Sequence, residues 1–435
     1  MIEVAGNNLA AIVCCSELIR NGIPVRHLSN EDFRLGGHFA GFVYKEKRID
    51  LGMVLLEPRL DLEETDIVKY RGQSGQEVNQ FNQAVFHWLA SRNVSLNSIS
   101  VHSYFRNKLT GDVVIADDLS FLDLLHDSEK QTIIDEISLR IRESKYHPRN
   151  KTQSSYFQKT CLQDVYYEIY GELFSNYLLD NLELLAGVNG LKVAAQFHRL
   201  LWAPLYYPET VLSYLKTGHS GIPVLEFFVP EKDSVAQLIQ NIIEEMNRSS
   251  NYSPQPIPND EYSSLVEDRI QRNSVQTLVF SDERELSHQT LNIPRTMVAF
   301  VLAQIDSNLE LVVHSLDSST GWYRATARGQ NLGVSVIEVG KIQVNESDTS
   351  ILARANECAS SIGIGRLKEP VILRSSIYTY TPEVSAAFLN RNAKSKKLLK
   401  GNRSFFVNNE TTGSFNNQVC LGLSTSQVII RENNK

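Results

Sequence analysis

Residues 34–52 of the sequence read Arg-Leu-Gly-Gly-His-Phe-Ala-Gly-Phe-Val-Tyr-Lys-Glu-Lys-Arg-Ile-Asp-Leu-Gly. The glycine pair follows a segment with the pattern of a strand, a helix and a second strand, and the Asp-x-Gly follows a hairpin-like run. Because glycine carries no Cβ, a glycine pair at such a place lets the backbone pass close to a ligand. The stretch therefore predicts a close approach of the backbone to a dinucleotide.

The first 28 residues predict the start of a mononucleotide-binding unit. Residues 2–5 and 23–28 read as strands, and residues 9–21 have apolar side chains at helical spacing. Asn8 stands where a helix N-cap is expected, and Gly22 stands where a C-cap is expected. This order of strand, turn, helix and strand is typical of a dinucleotide-binding βαβ unit.

The phosphate loop of this unit departs from the usual Gly-x-Gly-x-x-Gly fingerprint. Gly6, Asn8 and Ala11 occupy the three glycine positions. Alanine is common at the third position, whereas asparagine fits the second less well, although it tolerates left-handed backbone. Ser29 and Asn30 stand where an acid that binds the ribose hydroxyls is expected. Taken alone, the unit is as compatible with a ligand-free α/β start as with a dinucleotide site.

Residues 34–37 (Arg-Leu-Gly-Gly) and 50–52 (Asp-Leu-Gly) together resemble the second flavin-binding signature of the amine-oxidase-like flavoproteins. That superfamily includes protoporphyrinogen oxidases, carotenoid desaturases, monoamine oxidases and UDP-galactopyranose mutases. The resemblance implies that the first segment passes the FAD pyrophosphate and ribityl chain, and that the second opens the strand beneath the flavin. The residues concerned are Arg34, Gly36, Gly37, Asp50 and Gly52.

The C-terminal segment resembles the last flavin-binding element of the same superfamily. There a strand ends at Gly-Asp or Gly-Arg, and the next helix points its N-terminus at the flavin, where its dipole stabilises negative charge. Here Asn408 and Asn409 occupy the Gly-Asp positions, and residues 413–418 open a helix that continues to residue 429. The resemblance implies FAD contacts at both ends of the chain, from Gly6, Asn8, Ala11, Ser29, Asn409, Phe415, Asn416 and Asn417.

The middle of the chain predicts helices first and strands later. Residues 55–185 have helical periodicity and weak strand signals, with helices predicted over 76–91, 132–145 and 156–185. Residues 225–230 and the amphipathic helix 235–246 resemble the family's aromatic-Pro-x-x-Gly segment, with Asp233 at the glycine position.

Three proline residues within 249–260 predict a surface loop or linker. Beyond this loop, residues 275–280 and 285–293 predict a β-hairpin. Further strands are predicted at 297–305, 309–316, 322–326, 334–339 and 367–380, with a helix at 347–363.

The strand at 322–326 resembles the Tyr-Arg-x-Thr strand of the galactopyranose-mutase branch, where the sheet forms the floor of the substrate pocket. Arg324 is therefore a candidate anchor for the substrate. By analogy with aromatic positions in the family, Tyr323, Tyr378 and Tyr380 are candidates for the substrate side of the flavin. His38 directly follows the glycine pair and is a candidate for proton transfer. A loop histidine and a solvated strand arginine are the alternative interpretations of His38 and Arg324.

These observations predict an α/β protein with a Rossmann-like FAD-binding domain interleaved with a mixed-sheet plus helical substrate domain. The FAD-binding domain is expected to comprise residues 1–75, 225–293 and 395–435. The substrate or cap domain is expected to comprise residues 76–224 and 294–394.

Composition narrows the class of protein. The net charge of −7 does not favour binding of nucleic acid, which is itself negatively charged. No apolar run reaches the length of about 20 residues that a helix needs to cross a bilayer. Five scattered cysteines form no disulfide or metal pattern, and the ten histidines show no metal-ligand spacing. The expectations are a cytoplasmic location, no bound metal, a small-molecule substrate, and a homodimer as one assembly that the sequence allows.

Three functions remain open at this point. The first is a FAD-dependent oxidoreductase that takes a hydride from a substrate such as an amine. The second is mutase-like chemistry on a nucleotide sugar, with Arg324 as an anchor for a phosphate or carboxylate. The third is a non-catalytic scaffold or partner subunit, indicated by the losses at Asn8, Ser29, Asp233 and Asn409.

Overall fold

The computed structural model describes residues 1–52, 54–56, 75–143, 160–192, 208–221, 224, 226–272, 277–280, 294–379, 381–383, 405–406 and 415–433. The strands are β1 Ile2–Ala5, β2 Val25–Asn30, β3 Phe42–Tyr44, β4 Lys47–Ile49, β5 Leu96–Phe105, β6 Lys108–Gly111, β7 Phe227–Pro230, β8 Tyr252–Ile257, β9 Thr277–Val279, β10 Arg295–Gln304, β11 Glu310–Ser315, β12 Arg324–Arg328, β13 Val334–Val339, β14 Lys368–Tyr378 and β15 Phe405–Phe406. The helices are α1 Leu9–Arg20, α2 Gly75–Ala90, α3 Asp127–Glu143, α4 Leu162–Tyr170, α5 Glu172–Ala186, α6 Val188–Leu191, α7 Pro208–Thr217, α8 Val235–Asn247, α9 Asn259–Arg272, α10 Asp348–Ser361 and α11 Phe415–Asn433. The predicted α/β class is confirmed.

The first sheet has five strands in the order β15-β9-β1-β2-β8, and all four pairings are parallel. In chain order this is the arrangement 5-4-1-2-3, which matches the first five strands of the Rossmann order 3-2-1-4-5-6. The central strand β1 is fully buried, as a strand covered on both faces must be. Helices α1, α8 and α11 share an apolar core on one side of this sheet. The Rossmann-like prediction is therefore confirmed.

One prediction about the first sheet is wrong, because the proline-rich stretch 249–260 contains strand β8 rather than only a loop. Strand β8 lies at the edge of the sheet and pairs only with β2, so that Pro254 lies opposite His27 and Pro256 opposite Ser29. Proline is tolerated in an edge strand. Because the two prolines are two residues apart, their backbone nitrogens point to the same side of β8. An open edge needs no N–H donors on that side.

The expected hairpin at 275–293 is also corrected. Strand β9 pairs in parallel with β1 on one side and with β15 on the other. It therefore has no free edge for an antiparallel neighbour. The second arm, at 285–293, lies outside the described residues.

The second sheet follows the order β14-β10-β13-β12-β11-β5-β6, with β7 paired to β5. It is antiparallel except between β11 and β5. The strands at 295–339 and β14 agree with the predictions, whereas β5 and β6 lie within residues 55–185, for which no strand was predicted. Strand β5 carries serine and asparagine, which are rare in strands, so its pairing with three neighbouring strands overrides its local preference.

The two faces of the second sheet have different partners. Val301 and Ile337 on one face pack with Ala355 and Cys358 of α10. The other face packs against the β3–β4 hairpin, where Ile49 contacts the cluster around Leu302 and Val336. The lysine and glutamate in the tight turn of this hairpin both have positive φ, which is typical of two-residue hairpin turns. The face toward the hairpin is the one that carries polar residues.

Aromatic residues of the predicted helical region form a core. Tyr166, Tyr170 and Phe174 are fully buried and belong to one cluster with Ile133 of α3 and Phe121. Their packing explains the aromatic richness of residues 156–185 within the described part. Among the residues that the structure describes, no helix is long and apolar enough to cross a membrane. The division of the chain into two interleaved domains stays a prediction.

Candidate functional site

The N-terminus of α1 lies between the carboxyl ends of β1 and β9 and is capped by Asn8. The Oδ1 atom of Asn8 accepts a hydrogen bond of 3.0 Å from the backbone N–H of Ala11. Its Nδ2 atom donates to the carbonyl oxygen of Phe280, directly after β9. Ligands of such folds bind where neighbouring strands connect to opposite sides of the sheet, which here is between β1 and β9. The Asn8 side chain therefore bridges this crevice.

A second amide side chain reaches the same helix end. The buried Gln418 of α11 accepts a hydrogen bond of 3.1 Å from the backbone N–H of Ala10 through its Oε1 atom. Helices α1 and α11 approach closely, since a Cβ on Gly422 would lie 2.6 Å from the carbonyl oxygen of Ala10. Two amides of the first turn of α1 are thus bonded to side chains of the chain itself.

Another asparagine network closes the end of β2. Asn7 accepts from the N–H of Asn30 at 2.8 Å and donates to the carbonyl oxygen of Asn30 at 2.9 Å. The side chain of Asn30 in turn donates to Asn259 at 2.8 Å. Asn30 is the last residue of β2, and Ser29 precedes it. The expected ribose-binding acid is therefore replaced by a neutral amide that already has partners.

The glycine pair lies against the N-terminus of α1, and its predicted approach to a dinucleotide stays a prediction. Gly36 donates its N–H to the carbonyl oxygen of Asn7 at 2.7 Å, and Gly36 forms a parallel bridge with Asn8. Gly36 and Gly37 have φ of +89° and +56°. A Cβ on Gly37 would lie 3.5 Å from Cα and 3.9 Å from Cβ of Asn8, and no other residue would come within 4 Å of it. Gly37 is exposed, so its backbone borders open space next to the helix end.

Arg34 and Asp50 hold neighbouring loops. Arg34 donates from Nη1 to the carbonyl oxygen of Gly41 at 3.2 Å. The Asp50 carboxylate accepts from the N–H groups of Val235 at 3.0 Å and of Ala236 at 2.7 Å, at the start of α8. Burial raises the pKa of Asp50 to about 6, and the two amides act against this shift. The Asp-x-Gly acid is thus a cap for α8.

Three predicted residues meet between the two sheets, although they lie far apart in the sequence. A Cβ on Gly52 would lie 3.4 Å from Nη2 of Arg324 and 3.4 Å from Cε1 of His38. Gly52 is buried, whereas the His38 side chain is exposed. The ring of His38 also contacts the Phe39 ring, with 5.1 Å between ring centroids. The structure therefore places an exposed imidazole next to the polar face of the second sheet.

Glu338 organises this polar face, and the sequence analysis did not identify it. Its carboxylate binds Arg324 through two bonds, of 2.6 Å from Nε and 2.8 Å from Nη2, and also accepts from the Tyr323 hydroxyl. Burial raises the pKa of Tyr323 well above its ordinary value. The negative charge of Glu338 raises it further, by a smaller amount. Arg324 is therefore a paired arginine rather than a solvated one. A single acid in the apolar strand β13 was the available sequence signal.

A second buried polar group lies on the same face. His314 is opposite Arg324 in the strand register, and its Nδ1 atom lies 2.8 Å from Oδ2 of Asp112. Asp112 also accepts from Ser103 at 3.3 Å and from the N–H of Ile115 at 2.6 Å. Both members of the pair are buried. The Nε2 atom of His314 has no hydrogen-bond partner among the residues that the structure describes.

A small cavity of about 20 Å³ lies beside Asp50 and Gly52. Thr326 and Arg328 of β12 line it from the sheet, and the Thr326 hydroxyl has no partner in the described part of the chain. The volume and the polar lining suit about one water molecule. Within the described residues, no group of three or more His, Cys, Asp and Glu side chains could hold a metal ion.

The remaining predicted residues are only partly described. Gly6 directly follows β1 and has φ of +136°, and Ala11 is buried in α1. Phe415 is buried near the rings of Phe39 and Trp88, at centroid distances of 5.9 Å and 6.4 Å. Of the other five, Asn416 is buried, Asn417 lies on α11, Tyr378 ends β14, and Tyr380 and Asn409 lie outside the described residues.

Comparison with known proteins identifies the fold. No family model matches the sequence, and no curated protein is significantly similar to it. Among solved structures, a reduced UDP-galactopyranose mutase matches with a TM-score of 0.61 and 11% identity over 98% of this chain and 94% of that chain. A protein assigned as a protoporphyrinogen oxidase, from Exiguobacterium sp. 255-15, matches with a TM-score of 0.57 and 14% identity over 99% and 98% of the two chains.

A third match is the cyclohexylamine oxidase of Brevibacterium oxydans IH-35A, with a TM-score of 0.53 and 11% identity over 100% of this chain and 99% of that chain. At these identities the likeness shows the fold alone. The similar structures nevertheless cover nearly all of both chains and are the kinds of protein that residues 34–52 resemble. Over nearly its whole length, the chain therefore shares the fold of these solved structures.

Proposed function

We propose that the chain is a FAD-dependent oxidoreductase that oxidises a small molecule held over the polar face of the second sheet. The observation that carries this proposal is the meeting of His38, Gly52 and Arg324 between the two sheets. The family resemblance expects the flavin near the Asp-x-Gly segment. Solved oxidases with the same fold support the reaction class.

The residues present fit FAD along the carboxyl edge of the first sheet. The N-terminus of α1 lies at the crevice between β1 and β9, which is where such folds bind dinucleotides. Next to this helix end, Gly37 supplies exposed backbone that carries no side chain. When bound, FAD would supply the hydride acceptor. Asn8, Gly37 and Gly52 are the residues that we expect to line it.

The chain's own residues supply orientation and proton transfer. Glu338 holds the Arg324 guanidinium by two bonds, and burial keeps Tyr323 protonated as a hydrogen-bond donor. Oxidation of an amine or an alcohol releases one proton with each hydride. His38 is exposed beside Gly52, and we propose its imidazole as the group that accepts this proton.

The absorbance of the purified protein tests this function. We expect a flavin spectrum after incubation with FAD, and bleaching by substrate amines or alcohols without any added reductant. Bleaching only after dithionite, followed by turnover of a nucleotide sugar, would instead favour mutase chemistry. That alternative has less support, because Glu338 already occupies two donors of Arg324. A protein that takes up no FAD would overturn both.

One observation favours a second candidate, a non-catalytic scaffold or partner subunit. Asn8 and Gln418 occupy two amides of α1 that a cofactor pyrophosphate would use. A folded protein that fails to bind FAD would support this candidate. The small-molecule substrate, a homodimer and a cytoplasmic location stay predictions.

A further inference from the structure

We infer that the chain limits its own affinity for FAD, because two neutral side chains compete with the cofactor pyrophosphate for the first turn of α1. The inference rests on the proposed function and concerns the same site. The competing side chains are Asn8, from the loop itself, and Gln418, from α11.

The Asn8 side chain is held at both of its ends. It caps α1 through Ala11 and bridges to Phe280 across the crevice. Glycine at this position leaves the helix end bare, so that a phosphate can approach the backbone closely. Asparagine instead places an amide group over the helix end. A pyrophosphate must therefore break two hydrogen bonds of Asn8 before it reaches the Ala11 amide.

Gln418 blocks the neighbouring amide from the opposite side. It is buried, and it comes from the first turn of α11. The close contact between Gly422 and Ala10 fixes the distance between the two helices at this end. Gln418 can therefore leave the Ala10 amide only by a change of its own side-chain rotamer.

The outcome of this competition depends on charge. A helix N-terminus favours an anion over a neutral group, so pyrophosphate can displace the two amide side chains. Each displaced hydrogen bond lowers the net gain on binding. We therefore infer that FAD binds reversibly and is lost during purification, so that the isolated protein is pale until FAD is added.

Fluorescence titration with FAD tests the inference on purified full-length variants. Asn8→Gly removes both bonds of Asn8, and Gln418→Met removes one acceptor while keeping side-chain length. We expect Asn8→Gly to lower the Kd for FAD at least tenfold and Gln418→Met to lower it several-fold. ADP, which contains the pyrophosphate, should show the same order. Riboflavin, which has no phosphate, should bind all variants alike.

Ser347→Gly is the matched control, because Ser347 caps α10 in the same way through Ser350 and lies in a different part of the fold. Its affinity for FAD should equal that of the wild type. Unchanged or weaker FAD binding in both Asn8→Gly and Gln418→Met, with measurable wild-type binding, would overturn this inference alone. If no variant bound FAD at any concentration, the proposed function would fail together with it.

Discussion

Arg324 and Glu338 face each other on adjacent strands of the second sheet and form an ion pair with two hydrogen bonds, of 2.6 Å and 2.8 Å. Glu338 is 1% exposed, so its carboxylate is held by Arg324 and by the Tyr323 hydroxyl rather than by water. The Arg324 guanidinium lies beside Gly52, with Nη2 at 3.4 Å from the position of a Cβ on that glycine. The pair therefore links the stability of the second sheet to the geometry of the proposed site.

Glu338→Leu should destabilise the protein strongly, because it leaves the Arg324 charge buried without a partner. Loss of one member of a buried pair typically costs about 3–5 kcal/mol. Urea denaturation provides the measurement. Glu369→Leu is the control, since Glu369 pairs with Lys45 but is 66% exposed, and exposed pairs contribute about 0–1 kcal/mol. Equal losses in the two variants would contradict the structural role of the Arg324 pair.

Asp50 should make stability depend on pH in the mildly acidic range. Its pKa is raised to about 6 in the folded protein, so the native state binds an extra proton between about pH 4 and pH 6. This contribution is complete below about pH 4 and is lost as the pH rises through about 6. The corresponding free energy is up to about 3 kcal/mol.

Asp50→Asn tests this prediction, because asparagine keeps the size of the side chain and one acceptor but does not titrate. The wild type should lose unfolding free energy relative to Asp50→Asn as the pH rises from about 4 to about 6. Urea titrations at several pH values measure the difference. A difference that stays constant with pH would show that the carboxylate has an ordinary pKa.

Gly37→Val should abolish FAD binding while leaving the protein folded. The residue has φ of +56°, which a β-branched side chain adopts only with strain, and the new side chain borders the open space beside Asn8. Gly22→Val is the matched control, because Gly22 has φ of +74° with no atom within 4 Å of its Cβ position. Both variants should lose similar stability, and only Gly37→Val should lose FAD. A folded and fully yellow Gly37→Val protein would show that the site is misplaced.

His38→Gln should slow substrate oxidation about 10²–10⁴-fold, which is the usual contribution of a general base. The affinity for FAD should stay close to that of the wild type. If His38 is the base, kcat/KM of the wild type rises with pH as the imidazole loses its proton. This rise should be absent from His38→Gln. Stopped-flow bleaching by substrate measures the rate, and an unchanged rate would exclude His38 from proton transfer.

Local patterns explain how much of the fold was predictable. Helical spacing and capping residues located α1, and alternation located strands β10 and β11. Strands β5 and β8 were missed, because serine, asparagine and proline oppose strand formation locally and only pairing with neighbours overrides them.

By itself, the sequence determined the backbone framework of the site, because glycine and capping residues act over a few positions. It placed Gly36, Gly37 and Gly52 where other atoms of the chain come close, and it placed Arg324 on a strand. Only the tertiary structure decided which side chains occupy that framework. The partners of Asn8, Ala10 and His314 lie 272, 408 and 202 residues away. No local pattern encodes such pairs, since they form only when distant segments fold together.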